Sequence, residues 1–81
     1  MPYINKGKRW GIADGDCPET AGELNYALTV ICHQYWRQNG ENYQAFNDII
    51  GALEGCKMEL YRRRVAPYED KKIEENGDVE F

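Results

Sequence analysis

Two stretches of helical apolar spacing, separated by a short turn, constrain this fold more than any other feature of the sequence. In the first stretch, apolar side chains recur three or four positions apart, at Leu24, Leu28, Ile31 and Tyr35. The second stretch repeats the pattern at Phe46, Ile49, Leu53, Cys56 and Leu60. Such spacing places each set on one side of an α-helix. It therefore predicts an antiparallel helical hairpin, residues 20–39 and 42–66, whose two apolar stripes face each other and form the core.

Residues that begin or end helices flank both stretches. Thr20 and Glu23 have the spacing of a capping box, in which side chains accept hydrogen bonds from backbone N–H groups at the start of a helix. Gly40 favours the left-handed stop of the first helix, and Asn42 suits the N-cap of the second. Pro67 disfavours helical geometry at the residue before it, so we expect the second helix to end there.

The segments outside the hairpin are predicted to be arms. Residues 1–19 combine apolar side chains with glycines at no regular period, which predicts an extended, turn-rich segment. In residues 67–81, Asn76-Gly77 is the favoured pair for a two-residue hairpin turn, although acidic residues flank it. We expect one mainly α domain of 81 residues, with the hairpin at 20–66 and irregular or short β arms at both ends.

The chain carries more apolar surface than one helical hairpin can bury. Tyr43, Ile50 and Tyr61 follow a second stripe on the outer side of the second helix, and tyrosine is enriched at protein interfaces. Gly51 and Gly55 lie one turn apart and predict the close approach of another backbone, from the N-terminal arm or from a second subunit. A domain this small is marginally stable alone. We expect a homo-oligomer, most simply a two-fold dimer, with packing by the arms as the alternative.

Charge and composition limit the classes of partner and location. The net charge of −4 arises in residues 69–81, where six acidic residues outnumber two lysines. A body without net positive charge disfavours duplex DNA, whose binding depends on many phosphate contacts. No stretch approaches the ~20 apolar residues of a membrane span, and the N-terminus lacks a signal peptide's apolar segment. Three cysteines without such a signal suit reduced thiols, so we expect a cytoplasmic protein with no membrane partner.

The ionisable residues form no recognisable catalytic or metal-binding pattern. Cys17, Cys32, His33 and Cys56 lack the spacing of a zinc motif. The chain has no serine, and its glycines match neither the P-loop nor the dinucleotide pattern. The sequence therefore predicts a non-enzymatic protein without a metal or another cofactor.

Short motifs are distributed over nearly the whole chain: MPYI at 1–4, GELNY at 22–26, IGALE at 50–54, ELYRR at 59–63, and APYEDKK with NGDV within 66–79. Together they resemble a family of small uncharacterised proteins encoded by bacteriophages and bacteria. The resemblance implies a phage accessory protein that acts on host machinery by binding. By analogy with unrelated small phage proteins, it suggests sequestration of a nucleotide signal of host immunity.

Basic and aromatic residues near the end of the second helix form the candidate site. In an α-helical projection, Lys57 and Arg64 lie close to the Leu60 stripe, where a charge needs a partner. That partner is a carboxylate of the chain or of a second subunit, or the phosphate of a ligand. Alternatively, the side-chain stems snorkel and keep their charges in water. In the ligand hypothesis basic residues hold phosphates, tyrosines stack on a base and polar residues read its edges. The predicted ligand-binding residues are Asn25, Tyr26, Glu54, Lys57, Tyr61, Arg62, Arg63, Arg64, Tyr68 and Asp70.

A structural interpretation of the arginines and a second function remain open. Arg62 and Arg63 suit the end of a helix, where the dipole favours positive charge, and Glu59 can pair with Arg63 at i+4. The alternative function is a protein–protein interaction module or an inhibitor of a host protein, in which the acidic residues 69–81 contact a basic surface.

Overall fold

The computed structural model describes residues 5–80, and the regular secondary structure of these residues is helical throughout. Helix α1 spans Lys6–Ala13, α2 spans Ala21–Gln38 and α3 spans Tyr43–Leu60. A π-helical turn, Tyr61–Val65, joins α3 directly to α4, Ala66–Asn76. The mainly α class is confirmed. The predicted irregular or short β arms are wrong, because each arm contains a helical segment and residues 5–80 contain no strand.

The chain divides into two compact units, Met1–Ile49 and Ile50–Phe81, here called unit 1 and unit 2. Unit 1 contains α1, α2 and the start of α3. Unit 2 contains the rest of α3, the π-helical turn and α4. The predicted arm residues 1–4 and the terminal Phe81 lie outside the described residues.

The N-terminal segment forms a helix because a local cap outweighs its glycines. The Asn5 side chain accepts a 2.9 Å hydrogen bond from the Lys8 N–H and so caps α1. Gly15, with φ of 102°, turns the chain after the helix. The Asp16 N–H then donates to the Gly11 carbonyl at 2.9 Å. A side chain at Gly11 would collide with the Asp16 carboxylate. The predicted extended arm is therefore wrong at residues 6–13, whereas residues 14–19 form a turn and an irregular segment.

Helices α2 and α3 begin at the predicted caps. The Glu23 N–H donates to the Thr20 hydroxyl at 3.1 Å, and the Glu23 carboxylate accepts the Glu19 N–H at 3.2 Å. The Asn42 side chain accepts the Ala45 N–H at 2.9 Å. These hydrogen bonds satisfy N–H groups that a helix start would otherwise leave unpaired.

The interior of unit 1 is small and differs from the predicted one. Its buried residues are Ile12, Glu23 and Ala45, which is only 2% exposed. Trp36 stacks on Phe46 with ring centroids 5.5 Å apart, and the Tyr35 hydroxyl donates to Asp48 at 3.1 Å. Side chains thus join α2 to α3 next to their turn, whereas the helices of unit 1 whose backbones pack closely are α1 and α2. The predicted core stripe of the first helix is instead exposed, at Leu24, Leu28, Ile31 and Tyr35, because α2 and α3 do not pack along their length.

The helix of unit 2 does not end before Pro67, as the sequence predicts. The Ala66 N–H donates to the Tyr61 carbonyl, an i→i−5 bond, and Ala66 keeps helical angles of −60° and −46°. In an α-helix the ring of Pro67 would clash with the carbonyl of Arg63, four residues earlier. The wider π-helical turn relieves that clash, so Pro67 sits in the first turn of α4 and the helix continues.

Helix α4 ends at Asn76-Gly77, where the sequence predicts the turn of a β-hairpin. Gly77, with φ of 84°, donates its N–H to the Ile73 carbonyl at 2.8 Å and closes the helix. Of residues 50–80, all are exposed except Ala66, which is half-buried. None of the described helices combines the length and the apolar character needed to cross a bilayer.

Candidate functional site

The predicted ligand-binding residues are divided between the two units. Asn25, exposed, and Tyr26, half-buried, lie on α2 in unit 1. The other eight belong to unit 2 and are all exposed: Glu54, Lys57, Tyr61, Arg62, Arg63, Arg64, Tyr68 and Asp70. The structure of unit 2 therefore decides which of these side chains share a surface.

Three of the predicted residues line one surface cavity of unit 2. Lys57, Tyr61 and Arg62 surround a volume of about 400 Å³ together with Met58 and Glu59. Helical spacing explains the grouping, since residues three and four positions apart are neighbours on a helix surface. This cavity thus presents two positive charges, one negative charge and one phenol ring on the same side of the helix.

The basic residues around the cavity have partners within their own helix. The Lys57 ammonium lies 3.2 Å from the Glu54 carboxylate, and Arg62 lies 3.4 Å from that of Glu59. Arg63 donates to the same Glu59 carboxylate at 2.6 Å, as its i+4 spacing predicts. All these pairs are solvent-exposed, where an ion pair contributes at most about 1 kcal/mol. They can therefore exchange for an anionic ligand at little cost.

Arg64 differs from the other arginines. Among the residues that the structure describes it forms no ion pair, and its side chain is exposed. The sequence predicts that Lys57 and Arg64 need partners because they adjoin a buried stripe. That reason fails here, because the stripe and both charges are exposed to solvent.

The tyrosines of unit 2 are held by acidic and basic neighbours. The Tyr61 hydroxyl donates to Glu69 at 2.5 Å, across the π-helical turn. This hydrogen bond, with the negative charges of Glu69 and Asp70 and slight desolvation, raises the pKa of Tyr61 above 10.0. The Lys72 ammonium lies 5.6 Å from the centre of the Tyr68 ring. Both rings are therefore oriented by contacts within the helix.

Unit 1 contains an apolar cavity that sequence reasoning missed. It has a volume of about 260 Å³ and is lined by Cys32, His33, Trp36, Phe46 and Ile49. The indole N–H of Trp36 is buried and finds no hydrogen-bond partner among residues 5–80. The available signal was that Cys32, His33 and Trp36 lie within one helical turn of each other. It was overlooked because Trp36 belongs to neither apolar stripe.

The cysteines and the histidine form neither a disulfide nor a metal-ligand cluster among the described residues. Cys17, Cys32 and Cys56 are free thiols. Across residues 5–80, no three histidine, cysteine or acidic side chains converge as metal ligands would. The His33 Nδ1 atom lies 2.8 Å from the Thr29 carbonyl of the preceding turn.

The comparison with known families assigns nearly the whole chain to one family. A family model described as a domain of unknown function, DUF6899, matches residues 1–79. The chain belongs to this family, and the predicted membership of an uncharacterised family is confirmed. No curated protein and no solved structure matches the chain.

Proposed function

We propose that this protein is a non-enzymatic phage accessory protein that binds a host protein through the exposed apolar face of α2. The observation that carries the proposal is that Leu24, Leu28 and Ile31, one stripe of a well-capped helix, are all exposed, Ile31 at 61%. A contiguous apolar helix face of this kind is typical of a protein interface.

Capture from an extract of the host cell tests this function. The parent chain is compared with a Leu28→Gln/Ile31→Gln variant and with Tyr43→Gln, which changes an exposed apolar residue outside α2. Circular dichroism checks that the helices persist in each variant. We expect one stoichiometric partner to be retained by the parent and by Tyr43→Gln, and lost with the double variant. Equal retention by all three chains, or no retention by the parent, contradicts the proposal.

A second candidate function is sequestration of a small anionic, nucleotide-like signal of host immunity. It is favoured by the cavity of about 400 Å³ that brings together Lys57, Tyr61 and Arg62. Small-molecule sites have volumes of roughly 300–1,000 Å³. In this hypothesis Lys57 and Arg62 hold phosphate oxygens and the Tyr61 ring stacks on a base.

A thermal-shift screen against cyclic di- and trinucleotides tests the ligand hypothesis. A ligand at a hundredfold excess over its dissociation constant stabilises the folded state by about 2.7 kcal/mol. We expect Lys57→Ala and Arg62→Ala to abolish the shift, and Lys72→Ala, a basic residue outside the cavity, to preserve it. An unchanged melting temperature with every nucleotide rejects this second function and leaves the first untouched.

A further inference from the structure

The chain contains two Asn-Gly pairs, and each lies at the carboxyl end of a helix. Asn39-Gly40 follows α2, and Asn76-Gly77 closes α4. In such a pair the asparagine side chain cyclises readily onto the backbone, because glycine has no side chain to obstruct the approach of its own amide nitrogen. The two pairs therefore have the same intrinsic chemistry, and their structural surroundings decide which of them reacts.

The amide nitrogens of the two glycines differ in their hydrogen bonds. The Gly77 N–H donates to the Ile73 carbonyl at 2.8 Å and is held in the last turn of α4. The Gly40 N–H donates to no acceptor in the described residues 5–80. A hydrogen-bonded amide must open before it can give its proton to water, whereas an amide without such a bond needs no opening. The nitrogen that attacks in cyclisation is thus available at Gly40 and restrained at Gly77.

The Asn39 side chain is exposed at the end of α2. Its Nδ2 atom donates to the Tyr35 carbonyl at 3.0 Å. This bond involves the side-chain nitrogen that leaves in cyclisation. It involves neither the Cγ atom that is attacked nor the Gly40 nitrogen that attacks it. The local contacts of Asn39 therefore leave both reacting atoms without a hydrogen-bond restraint.

We propose that Asn39 is a site of spontaneous deamidation and that it reacts faster than Asn76. The Gly40 nitrogen loses its proton to hydroxide, and its electron pair forms a bond to Cγ of Asn39. The bond from Cγ to Nδ2 breaks, and Nδ2 leaves as ammonia with a proton taken from water. A second water molecule opens the five-membered succinimide ring at either carbonyl, which yields aspartate or isoaspartate. This inference goes beyond the proposed binding functions, which use α2 and the Lys57 cavity.

Either product changes the turn between α2 and α3. A carboxylate at position 39 has no N–H to donate to the Tyr35 carbonyl, and the helix dipole disfavours negative charge at the carboxyl end of α2. Isoaspartate also lengthens the backbone by one carbon atom, close in sequence to Trp36, which stacks on Phe46 across the turn. Deamidation therefore loosens the connection between these two helices.

Peptide mapping by mass spectrometry tests the site, because it measures both conversions in one sample. The chain is incubated at mildly alkaline pH, either folded or in guanidinium chloride, where unfolding removes the hydrogen bond at Gly77. In the folded chain, Asn39 should convert about fivefold faster than Asn76, the ratio that corresponds to one hydrogen bond of about 1 kcal/mol. In guanidinium chloride the two rates should be similar.

Two variants complete the test. Asn39→Gln should remove the faster conversion and leave that of Asn76 unchanged, because glutamine would have to close a larger ring. Asn39→Asp reproduces one product and should lower the melting temperature. The proposed site is overturned if the folded chain converts Asn76 as fast as Asn39, or if the faster conversion at Asn39 persists in guanidinium chloride. A melting temperature of Asn39→Asp equal to that of the parent would overturn the loosening of the turn.

Discussion

Residues 5–49 and 50–80 are both mainly helical, yet only the first of these regions has an interior. The first region buries Ile12 and Ala45, and it stacks Trp36 on Phe46. In the second, every residue is exposed except Ala66, which is half-buried. The difference shows that apolar periodicity predicts a helix. It does not reveal whether the rest of the chain buries the apolar face of that helix.

The largest expected effect is the loss of the aromatic stack in unit 1. Trp36→Ala should lower the free energy of unfolding by about 3 kcal/mol, the lower end of the range for buried aromatics, because Trp36 is half-buried. Urea denaturation measures the change. Trp10→Ala is the matched control, since Trp10 is 71% exposed and should matter by less than about 0.5 kcal/mol. Equal losses in the free energy of unfolding for both variants would contradict a packed interior around Trp36 in unit 1.

A smaller effect comes from enlarging a buried alanine. Ala45→Leu adds volume at a position that is packed on all sides, and it should destabilise the fold by roughly 1–3 kcal/mol. Ala52→Leu makes the same change at an exposed position of α3, where we expect little effect on stability. If Ala52→Leu lowers the free energy of unfolding in urea as much as Ala45→Leu does, another surface packs closely on α3 at Ala52 as well.

Two glycine replacements in residues 50–80 are expected to have opposite effects on stability. No described atom lies within 4 Å of a Cβ placed on Gly55, so Gly55→Ala should raise helix stability by about 1 kcal/mol. Gly77→Ala should be destabilising, because Gly77 has a φ of 84°. Thermal denaturation distinguishes the two. Destabilisation by Gly55→Ala would restore the sequence-based interpretation that another backbone approaches this position.

The smallest expected effect is the pH dependence of two exposed tyrosines. Hydrogen bonds to Asp48 and Glu69 raise the pKa of Tyr35 and of Tyr61 above 10.0. A raised folded-state pKa means that the stabilisation is complete below pH 10 and is lost as the pH rises through the folded value. Spectrophotometric titration should show two late-ionising phenols, one lost in each of Tyr35→Phe and Tyr61→Phe. Titration of both with the remaining tyrosines would show that the hydrogen bonds do not persist in solution.

The sequence predicts the features of the fold that depend on neighbouring residues. The Thr20–Glu23 cap and the Asn42 cap are local patterns, and both are confirmed. Helix α1 was missed because glycines masked its period, although Asn5 supplied a cap. The continuation past Pro67 was missed because an α-helical projection has no place for the extra residue of a π-helical turn.

The candidate site is predicted less well than the fold, because it depends on burial. Helical spacing alone brings Lys57, Tyr61 and Arg62 to one cavity. The expected burial of Lys57 and Arg64 depends on tertiary packing, which periodicity does not contain, and both side chains are exposed. The same limit applies to Trp36, whose position between two helices follows from packing rather than from either stripe.

The central claim is that residues 5–49 carry their own interior, whereas residues 50–76 form a helix whose residues, apart from Ala66, are exposed. Amide hydrogen exchange tests this claim most directly, because exchange reports the opening of each region separately. We predict stronger protection of the amides in residues 21–49 than of those in residues 50–76. Equal or stronger protection of residues 50–76 would contradict the account.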